Sequence, residues 1–166
     1  MFEIRPLKEV DGKDVRELML QNSGSHTFVI YKTEEVPSSE QIAKKIRRFF
    51  SNSRLGVLLG AYESGVLIGY LFLERGGLSH TEGVGTISLC VSRNHQRRGA
   101  GRQLITSSLK WAREESLYRL QMTVQTNNEV AIRLYASEGF VLEGFLRKAG
   151  KTEDRFVDKY QMAHLL

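Results

Sequence analysis

The chain of 166 residues has little of what staples or interrupts a fold. It carries one cysteine, Cys90, so an intrachain disulfide and a cysteine metal cluster are both excluded. Cys90 lies in an apolar run and reads as a small buried hydrophobe. The only prolines are Pro6 and Pro37, and no repeat, linker or low-complexity tract divides the sequence. One domain over residues 1–166 is the economical expectation. No run of about 18 apolar residues is present, which excludes a spanning helix and leaves no membrane partner expected. The opening MFEIRPLKEV is charged within its first few residues and has no apolar signal segment, so a cytoplasmic protein is expected.

What is present is ordinary in bulk, with 41% hydrophobic and 26% charged residues. A net charge of +5 and a pI near 9.4 favour an anionic partner. Nucleic acid, an acidic cofactor and a mere solubility surplus all fit that charge. The basic residues concentrate at Lys44-Lys45 with Arg47-Arg48, on a predicted helix, and at Arg97-Arg98 with Arg102. They lack interleaved aromatics and no nucleic-acid motif occurs, so no nucleic-acid partner is expected.

Periodicity divides the chain into alternating elements. FEIR, Phe2 to Arg5, alternates as a strand. Asp11 is placed to cap a short helix with Val15, Leu18 and Met19 inward. Residues 21–37 read as loop, with TFVIY, Thr27 to Tyr31, as an extended piece. Ser38 and Gln41 form a capping box ahead of Ile42, Ile46, Phe49 and Phe50. The apolar runs Gly56 to Tyr62 and Val66 to Glu74 flank turn residues and predict a hairpin. A strand over Val84 to Val91, a helix over Gly99 to Glu115 and a strand over Arg119 to Gln125 follow. A helix then runs from Asn128 and stops at Gly139. Two last strands lie near Val141 to Arg147 and Arg155 to Ala163, joined by a turn over Gly150 to Asp154. This order predicts an α+β (mixed α/β) fold: a mostly antiparallel twisted sheet of about seven strands, with helices on both faces.

The chemistry concentrates in Gln96-Arg97-Arg98-Gly99-Ala100-Gly101, between a strand and a helix. Glycine there lets a ligand approach the backbone, and the first helical amides have no internal acceptor. Together they suit a phosphate, with Arg97, Arg98 and Arg102 adding charge. A plain strand-to-helix turn with a solvated basic rim fits the spacing as well. No Lys-Ser or Lys-Thr pair follows, which excludes a P-loop, and the dinucleotide fingerprint needs a different glycine spacing.

QRRGAG, Gln96 to Gly101, resembles the acyl-CoA pyrophosphate signature of the GCN5-related N-acetyltransferases. NNEVAIRLYASEGF, Asn127 to Phe140, is similar to the second signature of that superfamily, and the two occur in the family's order. The resemblance implies a single domain of that type and acetyl-CoA (coenzyme A) as cofactor. It implies that main-chain groups of Leu89, Cys90 and Val91 meet the pantetheine arm and the thioester oxygen. Gln96, Arg97, Arg98, Gly99, Ala100, Gly101 and Arg102 would hold the pyrophosphate. Asn128 would bind the cofactor arm, and Tyr135 would protonate the leaving thiolate. Read from the residues alone, Asn128 is a helix cap and Tyr135 a core tyrosine. No metal is implied.

Transfer to an amine needs the neutral amine, a route for its proton, and donors for the developing oxyanion. Glu82 is the first candidate base, followed by His80 and Glu74, with ordered water as the other route. His95 sits in the phosphate turn. A direct transfer in a ternary complex is expected, not a route through Cys90. The tail, Glu143 to Leu166, resembles that of enzymes acetylating free amino acids or ribosomal-protein N-termini. A small-molecule amine (amino acid, polyamine or similar) is the expected acceptor and a protein N-terminus the alternative. A non-catalytic CoA-binding sensor is the alternative of another class. The family also suggests a homodimer.

Overall fold

The computed structural model describes residues 2–23, 32–151 and 155–166. In chain order it forms β1 (Glu3–Pro6), α1 (Gly12–Ser23), α2 (Ser39–Ser51), β2 (Gly56–Glu63), β3 (Val66–Arg75), β4 (Val84–Val91), α3 (Ala100–Glu114), β5 (Arg119–Gln125), α4 (Glu129–Ser137), β6 (Val141–Lys151) and β7 (Phe156–Leu165). Among the described residues the strands make one sheet in the order β1-β2-β3-β4-β5-β7-β6. Every neighbouring pair is antiparallel except β4–β5. The order and class of elements match the expectation from the sequence.

Alternation along β2 and β3 explains the layering. Leu59, Ala61, Leu71 and Leu73 share a core with α3, whereas Leu58, Tyr70 and Phe72 share one with α1 and α2. Both faces of this hairpin are therefore buried, as its continuous apolar runs require. Val15, Leu18 and Met19 of α1 and Ile42 and Ile46 of α2 point inward as predicted. Ser38 and Gln41 close the capping box, with Gln41 N donating to Ser38 Oγ at 3.2 Å and Ser38 N to Gln41 Oε1 at 2.9 Å.

Several local readings are corrected. Asp11 does not cap α1; it ends a 3-10 turn, Glu9–Asp11, and its buried carboxylate accepts from Lys8 N at 2.6 Å and faces Arg5 at 3.3 Å. α1 runs to Ser23 and a 3-10 turn spans Thr33–Glu35, both inside the segment read as loop. Phe50 is exposed, one step off the apolar stripe. β6 reaches Lys151, so Gly150 is a strand residue and not part of the turn. The expected extended piece Thr27 to Tyr31 and the end of that turn lie outside the described residues.

Candidate active site

The site is built on the one parallel pair. The β4–β5 ladder runs from Val84↔Arg119 only to Thr86↔Gln121, while β4 stays paired with β3 up to Val91. Beyond Thr86 the two parallel strands part. Arg119 N donates to Gly83 O at 3.3 Å, so the odd-numbered residues of β4 turn their main chains toward β5. Leu89 and Val91 thus present peptide groups to a wedge with no strand opposite. The Val91 carbonyl is taken by Gln96 Nε2 at 3.1 Å. Cys90, of opposite parity, turns its peptide to Tyr70 on β3, and its thiol is pushed up to about 11 by burial. Its peptide therefore faces β3, while its side chain lines the cleft with the sulfur held protonated at neutral pH.

The wedge opens into a cleft of about 1210 Å³. At its wide end lies the glycine turn. Arg97 has φ 60° and Gly99 φ 94°, so the chain changes hand twice before α3 begins. Nothing lies within 4 Å of where a Gly99 Cβ would stand, which leaves an open cradle above the helix start. Gly101 serves packing instead: a Cβ there would lie 3.1 Å from Leu134 Cδ2 on α4. Gln103 N is the first helical donor, to Gly99 O at 3.0 Å, so the amides before it have no acceptor within the helix. His95 Nδ1 is buried beside this turn without a hydrogen-bond partner among the described residues.

The basic rim divides. Arg97 and Arg102 line the cleft, but Arg98 does not: its guanidinium makes two bonds to Glu63, at 3.1 and 2.6 Å. No local pattern discloses that ion pair, in which Glu63 holds the Arg98 guanidinium. Arg102 is held by Glu138 at 2.9 Å and Ser137 at 3.2 Å. The Ala100 side chain is buried, so only its amide is placed to meet a ligand.

The opposite wall carries Asn128 and Tyr135. Asn128 Oδ1 accepts from Ala131 N at 3.1 Å and caps α4, which leaves its amide nitrogen facing the cleft. Tyr135 is 6% exposed, packs edge-on to Phe140 at 5.7 Å, and lines the same cleft. Burial drives its phenol far above the usual tyrosine range, so it stays protonated at every ordinary pH. The acid-base candidates fare differently. Glu82 is exposed, contributes only its carbonyl, to Arg75 Nε at 3.0 Å, and does not line the cleft. The 76–83 loop precedes the zipped end of β4, away from the parted end, so the structure does not bring Glu82 to the cleft. His80 is exposed on the same loop. Glu74 borders a smaller depression below the wedge and is paired with Lys45 at 2.7 Å. Overlooked in the sequence were the β5 and β7 side chains Gln121, Thr123, Lys159 and Gln161, which line the cleft. Their polar alternation in otherwise apolar strands was the available signal.

The sheet is thus parted at its one parallel pair, with main-chain groups of Leu89 and Val91 turned into the gap and the start of α3 at its mouth. The sequence profile of the Acetyltransferase (GNAT) family matches residues 15–140, and the chain belongs to that family. It is 33% identical over 90 residues to the N-alpha-acetyltransferase RimI of Mycobacterium tuberculosis, a match covering 54% of this chain and 55% of that protein. Over 105 residues it is 28% identical to the L-amino acid N-acetyltransferase AaaT of Escherichia coli, covering 61% and 63%. The chain thus spans between half and two thirds of these two relatives. An acetyltransferase from Salmonella typhimurium, solved with its cofactor acetyl-CoA, superposes with a TM-score of 0.90 at 20% identity over 100% of this chain and 94% of that one.

Proposed function

We propose that the protein is an acetyl-CoA-dependent N-acetyltransferase that moves the acetyl group directly to a primary amine of a small molecule. The observation that carries this is the wedge: β4 keeps its pairing with β3 through Val91 but loses β5 after Thr86. The residues present fit the cofactor. The free amides between Arg97 and Arg102 suit its pyrophosphate, and the peptide groups of Leu89 and Val91 suit its extended arm. Acetyl-CoA supplies an activated acetyl thioester.

The protein's own groups then have defined tasks. Amides in the wedge donate to the carbonyl oxygen as it gains charge. The Asn128 amide orients the arm. The Tyr135 phenol donates a hydrogen bond to the departing sulfur. Its high pKa, set against about 8.5 for a thiol, makes complete proton transfer uphill, so stabilisation by the hydrogen bond is the larger part of its role. The cleft's described lining holds no Asp or Glu, and this supports a proton route through ordered water. The protonated Cys90 supports direct transfer over a covalent relay.

Acetylation of a protein N-terminus is the second reading, supported by the Mycobacterium tuberculosis relative. A cytoplasmic homodimer belongs to the same proposal; no described helix is long and apolar enough to cross a membrane. The test is thiol release from acetyl-CoA over free amino acids, polyamines and N-terminal peptides. Turnover of a small amine is expected. Binding of acetyl-CoA with no acceptor turned over would leave a sensor in place of an enzyme.

A further inference from the structure

The face of the sheet that carries α1 and α2 shows which amine the wedge would receive. On β7, Tyr160 and Met162 pack into the core below α3 and α4, so Lys159 and Gln161 point to the opposite face. Their cross-strand partners on β5 are Gln125 and Thr123, which share that face. Ser88 faces them from β4, and Asn22 and Ser23 of α1 close the groove. This wall is neutral and polar except for one group. Among the described residues lining the cleft, Lys159 is the one lysine, and the other basic side chains all sit at the glycine turn.

Lys159 is half-buried and, among the described residues, makes no ion pair or hydrogen bond. Other basic side chains elsewhere in the fold are paired: Lys45 with Glu74, Arg98 with Glu63, Arg102 with Glu138. The position of Lys159 is shaped by Gly150 on β6, where a Cβ would lie 3.4 Å from Lys159 Cε and 3.7 Å from Nζ. A half-buried ammonium without a counter-ion among the described residues favours an anion brought by a ligand.

We propose that Lys159 anchors a carboxylate of the acceptor, so the acceptor class is an amine with a neighbouring carboxylate, an α-amino acid. The inference rests on the acetyltransferase reading. One further observation agrees with it: the described lining offers a polyamine no carboxylate to offset its remaining charges.

The experiment compares L-amino acids with their C-terminal amides, and includes benzylamine as an amine without a carboxylate. Wild-type protein, Lys159→Met and Lys159→Arg are assayed, with acetyl-CoA affinity followed by calorimetry. A charge-assisted contact predicts that Lys159→Met raises KM for the acid about tenfold or more, with kcat little changed. KM for the amide should stay put, Lys159→Arg should recover most of the loss, and acetyl-CoA affinity should not move. Equal KM for acid and amide in the wild type, or an equal rise for both in Lys159→Met, overturns the anchor. So does a loss confined to acetyl-CoA affinity, which would assign Lys159 to the cofactor. Turnover of benzylamine as fast as of any amino acid sinks the anchor and leaves the acetyltransferase reading standing. Failure to acetylate any amine sinks both.

Discussion

The two halves of the sheet are built to opposite rules. β2 and β3 are buried almost end to end, between α1 and α2 on one face and α3 on the other. β6 is exposed along nearly its whole length, and Leu142 and Phe145 stand 56% and 54% open. β4 is the border: zipped to both neighbours at Val84–Thr86, and to β3 alone at Leu89–Val91. The sealed half is packed by helices on both faces, whereas β4 keeps β3 but loses β5 after Thr86, which leaves the wedge open. Stability and chemistry are therefore separable by position.

The largest effect expected of that separation is on stability. Leu73 is fully buried in the sealed half, and Leu73→Ala should cost about 2–5 kcal/mol through lost transfer energy and a residual cavity. Leu142→Ala, in the open half, should cost about 0.5 kcal/mol or less. Urea denaturation of both variants measures the contrast. Similar losses would mean that the two halves are not differently packed.

The sealed half is also the half most legible in sequence. Its strands are continuous apolar runs, its hairpin has turn residues at Ser64 and Gly65 with positive φ, and its helix α2 begins with a reciprocal cap. Those signals are local. The glycine turn and the α4 motif were legible for the same reason, as glycine and cap positions next to each other in the chain. The long-range features were not. That Arg98 would find Glu63, 35 residues earlier, depends on where the hairpin end falls in space. Glu82 looked like a base because its loop precedes the central strand, but the site lies at that strand's other end. Asp11 looked like the cap of α1, but its carboxylate turns back to the Lys8 amide and to Arg5. The parting of β4 from β5 is absent from any window of sequence, since each strand separately is well formed.

At the border the expected effect passes from stability to rate. Tyr135→Phe removes only the hydroxyl and should lower kcat about ten- to a hundredfold, roughly 1.4–2.8 kcal/mol at the transition state, with acetyl-CoA affinity kept. Steady-state kinetics with calorimetry checks this; an unchanged kcat would leave Tyr135 as a core residue. The same group has a signature in alkali. Its folded pKa is raised by burial above the unfolded value of about 10, so the folded state retains a proton that the unfolded chain loses. Stability is thus full below about pH 10 and falls above it, by a slope approaching 1.4 kcal/mol per pH unit for each such group. Tyr62 is raised in the same direction by burial and by Asp11, and it adds to the fall. Denaturation midpoints between about pH 9 and 11 should decline less steeply in Tyr135→Phe than in wild type.

The smallest effect falls on the link between the halves. Arg98 ties the glycine turn to Glu63 at the end of β2, and His95 approaches the same carboxylate at 3.5 Å. The pair is largely solvent-exposed, so Arg98→Ala should change stability by no more than about 1 kcal/mol. Its consequence should appear in binding. Without the tether, the turn's peptide groups lose part of their fixed aim, and ordering them on binding lowers affinity for acetyl-CoA. A drop of a few-fold is expected, equivalent to roughly 1 kcal/mol or less. Glu63→Gln should produce a similar drop although it touches no ligand, because the contact it weakens is the same one. Calorimetry on both variants decides the matter. If Arg98→Ala weakens binding far more than Glu63→Gln does, the guanidinium meets the phosphate itself and the tether is incidental.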